Sequence, residues 1–528
     1  MVEFLNYINI GNVIPVKGAN MPCLLSCCLY LWLILIPVKT SAQNEDSVIE
    51  VLVTLPKDSA YMFAIPRVKP AIEYALQRIS TDERLLPGLI FKVHYEDSNC
   101  GNEALFSLVD RSLKKKPDLI LGPVCEYAAA QVIRMASHWN IPVISAGALA
   151  TGFSDKLKEY THLTRVSPSY LKMAKTFSAM FNYFSWKNAV LIYDDDKEER
   201  NCYFTMEGVH EVLNSESEVH HLLPVSFNSK GGVDVDEIIR SIYANEVVIM
   251  CAGSDVIREI MLAAHRRKMT NGNYIFFNID LFNSSFYGNG SWQRGDKYDA
   301  EAKQAYAALK TVTLLRSIKP EFENFSVEVK KSLQKVGLDE EGENINMFVE
   351  GFHDALLLYA LALHEVMKNG YTRKDGAKIV QQMWNRTFEG IAGQVSMDAN
   401  GDRNGDFSVM SITDTKAGTH EVIANYYGIN GSFEILPNMK FELFPAAGRP
   451  RNPEPPEHPD KSSGGLGVSA VTGIIVGALL GTALLMAFYF FRKNYRITIE
   501  RRTRREECDI GKHRQLREDS LRSNFSAA

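Results

Sequence analysis

Nothing in the 528 residues spells a phosphate-binding P-loop, a G-x-S-x-G nucleophile elbow or a G-x-G-x-x-G run after a strand. His364-Glu365 lacks the second histidine of a zinc protease. Single histidines such as His138 and His353 sit in helical stretches and read as structural. No catalytic centre and no metal centre is expected, and an ectoenzyme has no motif to support it. Charge of one sign is also scarce: 58 Lys+Arg stand against 63 Asp+Glu, a net −5. A nucleic-acid binder would show a strongly basic domain. Apolar residues at 46% and charged residues at 23% exclude collagen-like, wholly disordered and polytopic membrane chains. The length exceeds one domain.

The charge is uneven. From Arg492 onward eleven Lys+Arg face six Asp+Glu, so this tail is +5 and the remainder −10. A membrane explains the split. Val468–Phe491 is 24 residues without a charge, the length of a transmembrane helix. Arg492, Lys493 and Arg496 follow at once, which places the C-terminus in the cytoplasm. Leu24–Ile36 is a shorter apolar run before Lys39-Thr40-Ser41-Ala42 and reads as a signal peptide, with Met21 an alternative start. The expected order is signal 1–42, extracellular domain 43–444, stalk 445–467, span 468–491 and tail 492–528. That is a single-pass type I protein of the plasma membrane, its N-terminus outside. A 37-residue tail is too short to fold as an enzyme domain.

Of eight cysteines, four lie outside the cell: Cys100, Cys125, Cys202 and Cys251. Oxidising surroundings predict two disulfides, and four cysteines allow three connectivities. Nearest-neighbour pairing, Cys100–Cys125 and Cys202–Cys251, keeps each bridge within one half. The spacings fit no zinc pattern. The sequons at Asn283, Asn289, Asn324, Asn385 and Asn430 also lie outside.

Strands and helices alternate along this region. Ile49–Leu55, Leu89–Tyr95, Asp118–Pro123 and Ile141–Ser145 read as strands, with helices over Val68–Ile79 and Ala128–Trp139. The pattern restarts with strands Lys187–Tyr193, Val247–Cys251 and Tyr274–Asn278, and helices Phe204–Leu213 and Asp255–His265. The fold class is α/β, two doubly wound lobes with parallel sheets. A long helix, Asn346–Lys368, and a hairpin-like Gly393–Ile412 complete the lobes after the chain crosses back. Asp398-Ala-Asn-Gly-Asp402-Arg-Asn404-Gly-Asp406 looks like a calcium loop. It has Arg403 and Val409 where an EF-hand wants Gly and Glu, so a polar turn is favoured. Gly122-Pro123-Val124-Cys125 ends a strand and opens a helix, whose amides attract anions. A Cys100–Cys125 bridge would bring Ser98 there; ordinary helix capping reads equally well.

Several runs resemble the natriuretic peptide receptors. They include Tyr95-Glu-Asp-Ser-Asn-Cys-Gly-Asn102, Leu121-Gly-Pro-Val-Cys-Glu-Tyr-Ala-Ala-Ala130, Glu199-Arg-Asn-Cys-Tyr-Phe204 and Trp384-Asn-Arg-Thr-Phe-Glu-Gly-Ile-Ala-Gly393. The resemblance covers about 48–528, and the short tail is similar to that of the C-type, or clearance, members. It implies a type I periplasmic-binding-protein fold and a homodimer holding one natriuretic peptide hormone. It further implies internalisation of the hormone and a tail acting on an inhibitory G protein through Arg501, Arg502, Arg504, Arg505, His513, Arg514 and Arg517. Chloride would sit at Ser98, Val124 and Cys125. Peptide contacts would fall on Tyr127, Arg134, Phe204, Met206, Glu207 and Phe227. One departure stands out: Asp460-Lys461 occupies the place of the family's juxtamembrane cysteine, so a covalent dimer is not supported. Gly473, Gly477 and Gly481 offer a G-x-x-x-G face within the span. The competing reading is a receptor of the same fold for a small molecule held between the lobes.

Overall fold

The computed structural model describes residues 47–217, 219, 221–243, 245–281, 290–315, 319–338, 345–414, 416–437, 439, 480–490 and 493. They fall into two units, residues 1–453 and 454–528.

The first lobe opens with β1 (Val48–Leu55), a β-rich run buried almost throughout. A strand buried on both faces requires helices on both sides and parallel neighbours. These follow as α1 (Ile65–Thr81), β2 (Ile90–Asp97), α2 (Glu103–Lys114), β3 (Leu119–Leu121), α3 (Glu126–His138), β4 (Val143–Ser145) and β5 (Leu163–Arg165). The strands lie in the order β2-β1-β3-β4-β5, all parallel. On α1, Ile65, Val68, Ala71, Ile72, Ala75 and Ile79 make one apolar stripe at helical spacing, and the sheet covers it.

The second lobe repeats the scheme. It contains α4 (Tyr170–Phe184), β6 (Asn188–Asp194), α5 (Asn201–Glu216), β7 (His221–Phe227), α6 (Val235–Ile242), β8 (Val247–Cys251), α7 (Ser254–Arg266), β9 (Ile275–Ile279), α8 (Asp299–Tyr306) and β10 (Leu309–Leu314). Its parallel part, β7-β6-β8-β9-β10, has the same winding as the first sheet. The chain then returns to the first lobe through α9 (Pro320–Lys335), α10 (Met347–Lys368) and α11 (Gly376–Met383), with α9 and α10 packing on α1. Asn346 starts α10, its side-chain oxygen accepting from the N–H groups of Phe348 and Val349.

The expected hairpin over 393–412 holds only as far as residue 404 and is corrected beyond it. β11 (Thr387–Glu389) pairs with β12 (Gln394–Ser396), whereas β13 (Phe407–Asp414) pairs with β10 and with β14 (Thr419–Tyr427), which pairs with β15 (Ser432–Ile435). The residues between first turn back on β12, Asn404 N–H donating to Ser396 C=O and Asp398 N–H to Asp402 C=O, and then make a third crossing of the lobes. Arg165 N–H donates to Gly401 C=O, and Arg403 N–H donates to Arg165 C=O, so the segment pairs with the end of β5 before entering the other sheet. At this crossing Asp402, 5% exposed, takes the Arg165 guanidinium on both oxygens, at 2.7 and 2.6 Å, and Lys156 Nζ at 3.1 Å. The calcium-like run is therefore a turn tied to two buried cations. Among the described residues no cluster could hold a metal.

In the second unit residues 480–490 are helical. Among the described residues no helix is long and apolar enough to cross a membrane, and most of the expected span lies outside them. The expected signal, the whole of the expected stalk and the tail, Lys493 excepted, also lie outside the described residues.

Candidate functional site

Doubly wound sheets bind ligands beyond the carboxyl ends of their strands, where the strand order reverses. In the first lobe that point lies between β1 and β3. β3 runs into a cis Gly122–Pro123 peptide and then Val124 and Cys125. The Cys100–Cys125 disulfide holds this turn against the end of β2, as Cys202–Cys251 holds α5 to β8. Ser98 is fully buried; its N–H donates to Leu55 C=O, and its hydroxyl accepts from Cys100 N–H at 3.3 Å. That leaves the Ser98 O–H free to donate. Among the described residues, neither Val124 nor Cys125 donates its N–H to any acceptor. Val124 is buried and Cys125 half-buried, and amides withdrawn from water without an acceptor call for a partner. A cavity of about 40 Å³ lies here, walled by Phe63, Val124, Gly147, Leu149, Tyr170 and Glu199. It has room for an ion or a water or two.

Acidic side chains also reach this point. Glu126, at the first position of α3, accepts from the N–H groups of Leu149 at 3.0 Å and Ala150 at 3.3 Å. Burial pushes its carboxyl up to about 7. Burial likewise raises Glu199. Both are thus held toward their neutral forms, which lowers the repulsion an anion at Val124 and Cys125 would meet.

The peptide-contact positions are only partly brought together. Tyr127 on α3 is 47% exposed, and its ring meets Phe204 on α5 edge-on at 5.9 Å, one lobe against the other. Glu207, one turn beyond Phe204, accepts from Thr151 Oγ1 at 3.1 Å and Tyr203 O–H at 3.4 Å. Arg134 is exposed further along α3, paired with Glu159 and lying 5.0 Å over the Tyr160 ring. Met206 is placed otherwise than expected: it is 2% exposed and packed in the core, with no surface to offer a peptide. Phe227 ends β7 and packs on the opposite face of the second sheet, away from the aromatic pair. Asn324, Asn385 and Asn430 are exposed, as glycan acceptors must be, while Asn283 and Asn289 lie outside the described residues. The seven basic tail residues do too.

Sequence reasoning missed Arg200 and Tyr203. Arg200 binds both oxygens of Asp195, at 2.8 and 3.1 Å, and its guanidinium lies 3.8 Å over the Tyr203 ring. The Arg200 hydrogen bond holds the Asp195 carboxyl down at about 2. The acidic run Asp194–Asp196 before Arg200 was the available signal. A larger cleft, about 260 Å³, lies at the carboxyl ends of β6, β8 and β9 in the second lobe, beside Asp194, Asn201, Ser254 and Asn278.

Comparison with known proteins bears on the chain as a whole. Residues 67–415 match the model of a receptor family ligand binding region. The chain is 63% identical over 492 residues to atrial natriuretic peptide receptor 3 of Bos taurus, covering 91% of each protein. It is equally similar, at 63% over 492 residues, to the Homo sapiens protein of that name, covering 91% of this chain and 90% of the relative. Atrial natriuretic peptide receptor 2 of Homo sapiens is 34% identical over 392 residues, 71% of this chain but 37% of that longer protein. The chain therefore belongs to the natriuretic peptide receptor family, C-type.

Proposed function

We propose that this chain is a cell-surface receptor for natriuretic peptide hormones and not an enzyme. The observation that carries it is the meeting of Tyr127, Phe204 and Glu207 across the two lobes at the reversal point. Aromatic rings of this kind take an apolar anchor, and a carboxylate faces a basic peptide. The names of the relatives support the same ligand. Chloride at Ser98, Val124 and Cys125 would supply the acceptor that the two amides lack. We further read the receptor as a homodimer, non-covalent for want of a stalk cysteine, that internalises its hormone and acts on an inhibitory G protein.

Labelled peptide binding to the full-length receptor in membranes tests the reading. Phe204→Ala should weaken binding by roughly 30-fold. Unchanged affinity would place the hormone elsewhere. For the tail, Arg514→Ala with Arg517→Ala should abolish ligand-dependent inhibition of adenylyl cyclase and leave surface binding intact. Inhibition surviving both this and deletion from Gly511 would remove the distal tail as effector. The 260 Å³ cleft favours one second reading, a small molecule held at the second lobe. A thermal-shift screen with amino acids would reveal it.

A further inference from the structure

We propose that residues Gly147–Thr151 form a coupling strap that carries occupancy of the anion site to Glu207, with Thr151 as the positioning residue at its far end. This rests on reading Ser98, Val124 and Cys125 as an anion site beneath a peptide-binding face.

The strap begins on the anion site itself. Gly147 lies so close to Val124 that a Cβ there would stand 2.6 Å from the Val124 Cα. Ala148, in the left-handed region at φ 53°, donates its N–H to Val124 C=O at 3.0 Å. An anion bound by the Val124 and Cys125 amides fixes the peptide planes on both sides of Val124. The orientation of the Val124 carbonyl, and so of the Ala148 amide, follows from those planes.

Beyond Ala148 the strap has no slack. Glu126 accepts from the Leu149 and Ala150 amides. Arg165 Nη1 donates to the carbonyls of Ala148 and Ala150, at 3.0 Å each. The Leu149 carbonyl accepts from Tyr170 N–H at 3.0 Å. A segment bound on both edges moves as one body, so a shift at Ala148 reappears at Thr151. Thr151 is where the strap leaves the first lobe: its hydroxyl donates to Glu207 Oε2. The other Glu207 oxygen accepts from Tyr203 O–H, on the same helix. Among the described residues, the Thr151 hydroxyl is the one side-chain hydrogen bond that reaches Glu207 from the first lobe. It sets which way the hormone-facing carboxylate points. The Tyr127–Phe204 contact also joins the lobes, but an apolar edge-on contact does not orient a carboxylate.

The test measures the chloride dependence of affinity, not affinity alone. Labelled natriuretic peptide is titrated against full-length receptor in membranes, in chloride and in gluconate at equal ionic strength. The unaltered receptor should lose about tenfold in affinity without chloride, within the usual range of coupling between sites. Thr151→Val keeps the shape and removes the hydroxyl. It should bind somewhat more weakly in chloride and lose less than about twofold on its removal. Thr151→Ser should restore the full dependence, which a merely structural role would not require. If Thr151→Val fails to reach the surface, Thr151→Ala takes its place in the same comparison. Full dependence retained in the variant overturns the strap and leaves the anion site standing. An unaltered receptor indifferent to chloride overturns both.

Discussion

Asp402→Asn should be among the most damaging single changes to the two-lobed fold. The substitution keeps the size of the side chain and removes one negative charge. Asp402 is the shared counter-ion of Arg165, fully buried, and Lys156, 6% exposed. Removing one partner of a buried ion pair costs about 3–5 kcal/mol. Here two cations are stranded. Lys156 can escape by losing its proton, since burial already holds it down at about 8. Arg165 cannot. The cost should therefore stay within that range. For about 390 residues unfolding together, the entropy of unfolding is roughly 0.8 kcal/mol per degree, so the melting temperature should drop by about 4–6 °C. The pH profile is specific. Burial alone would raise the Asp402 carboxyl, but Arg165 and Lys156 hold it at about 2, below its ordinary 3.8. A depressed carboxyl contributes stability above its unfolded value and loses it as pH falls through the folded one. The gap between unaltered and variant protein should narrow by about 2 kcal/mol as pH falls from 5 to 2, at about 1.4 kcal/mol per unit of the carboxyl shift. Thermal unfolding of the two-lobed region, expressed without the tail, across pH measures this. A gap under 1 kcal/mol at pH 5, or one that does not narrow between pH 5 and pH 2, refutes the counter-ion account. A melting temperature of the unaltered protein that falls on adding EDTA would restore the calcium-loop reading.

Three further outcomes follow from the same geometry. Replacing Cys202 and Cys251 by Ser should cost about 4 kcal/mol, because the bridge closes a loop of 49 residues; non-reducing peptide mapping of the unaltered chain should return this pair and Cys100–Cys125. Glu126→Gln should flatten part of the stability profile. A carboxyl raised from 4.5 to about 7 stabilises fully below 4.5 and loses that contribution as pH rises through 7, on the order of 3 kcal/mol, so the unaltered protein should gain more than the variant on going from pH 8 to pH 5. Gly147→Ala should both destabilise, by about 1–3 kcal/mol, and abolish the chloride dependence of peptide binding, since the new methyl group falls on the Val124 backbone.

The fold was largely legible because parallel strands buried on both faces are continuous apolar runs. β8 coincides with the expected Val247–Cys251 for that reason. The edge strand β7 went unread: it is half exposed and carries Pro224, which only an edge tolerates. α4 was also missed. Its buried face, Tyr170, Met173, Ala174, Phe177, Met180 and Phe181, has helical spacing, but it is built from aromatics that favour strands. The calcium-like loop could not be judged from its own residues. Its counter-ion partner Arg165 lies 237 positions away, and no local period encodes a contact at that separation.

The face proposed for the peptide is different, because there the helical period sorts the expected residues by side. Successive residues on a helix turn by about 100°. Phe204 and Glu207, three apart, therefore share a side of α5, and Tyr203 lies four from Glu207. Met206 stands two residues from Phe204, about 200° around the axis, and cannot face the same partner. It shares its side instead with Val209 and Leu213, three and seven further on, both buried. A contact set carried over residue by residue from a resemblance ignores this turn. Laying the set on the helix first would have kept Phe204 and Glu207, added Tyr203 and turned Met206 into the core. On that reading Met206→Ala should lower stability by about 2–5 kcal/mol through the cavity it leaves, while the affinity of the folded receptor for its peptide stays the same. A loss of affinity at undiminished stability would put Met206 back on the hormone's side of the helix.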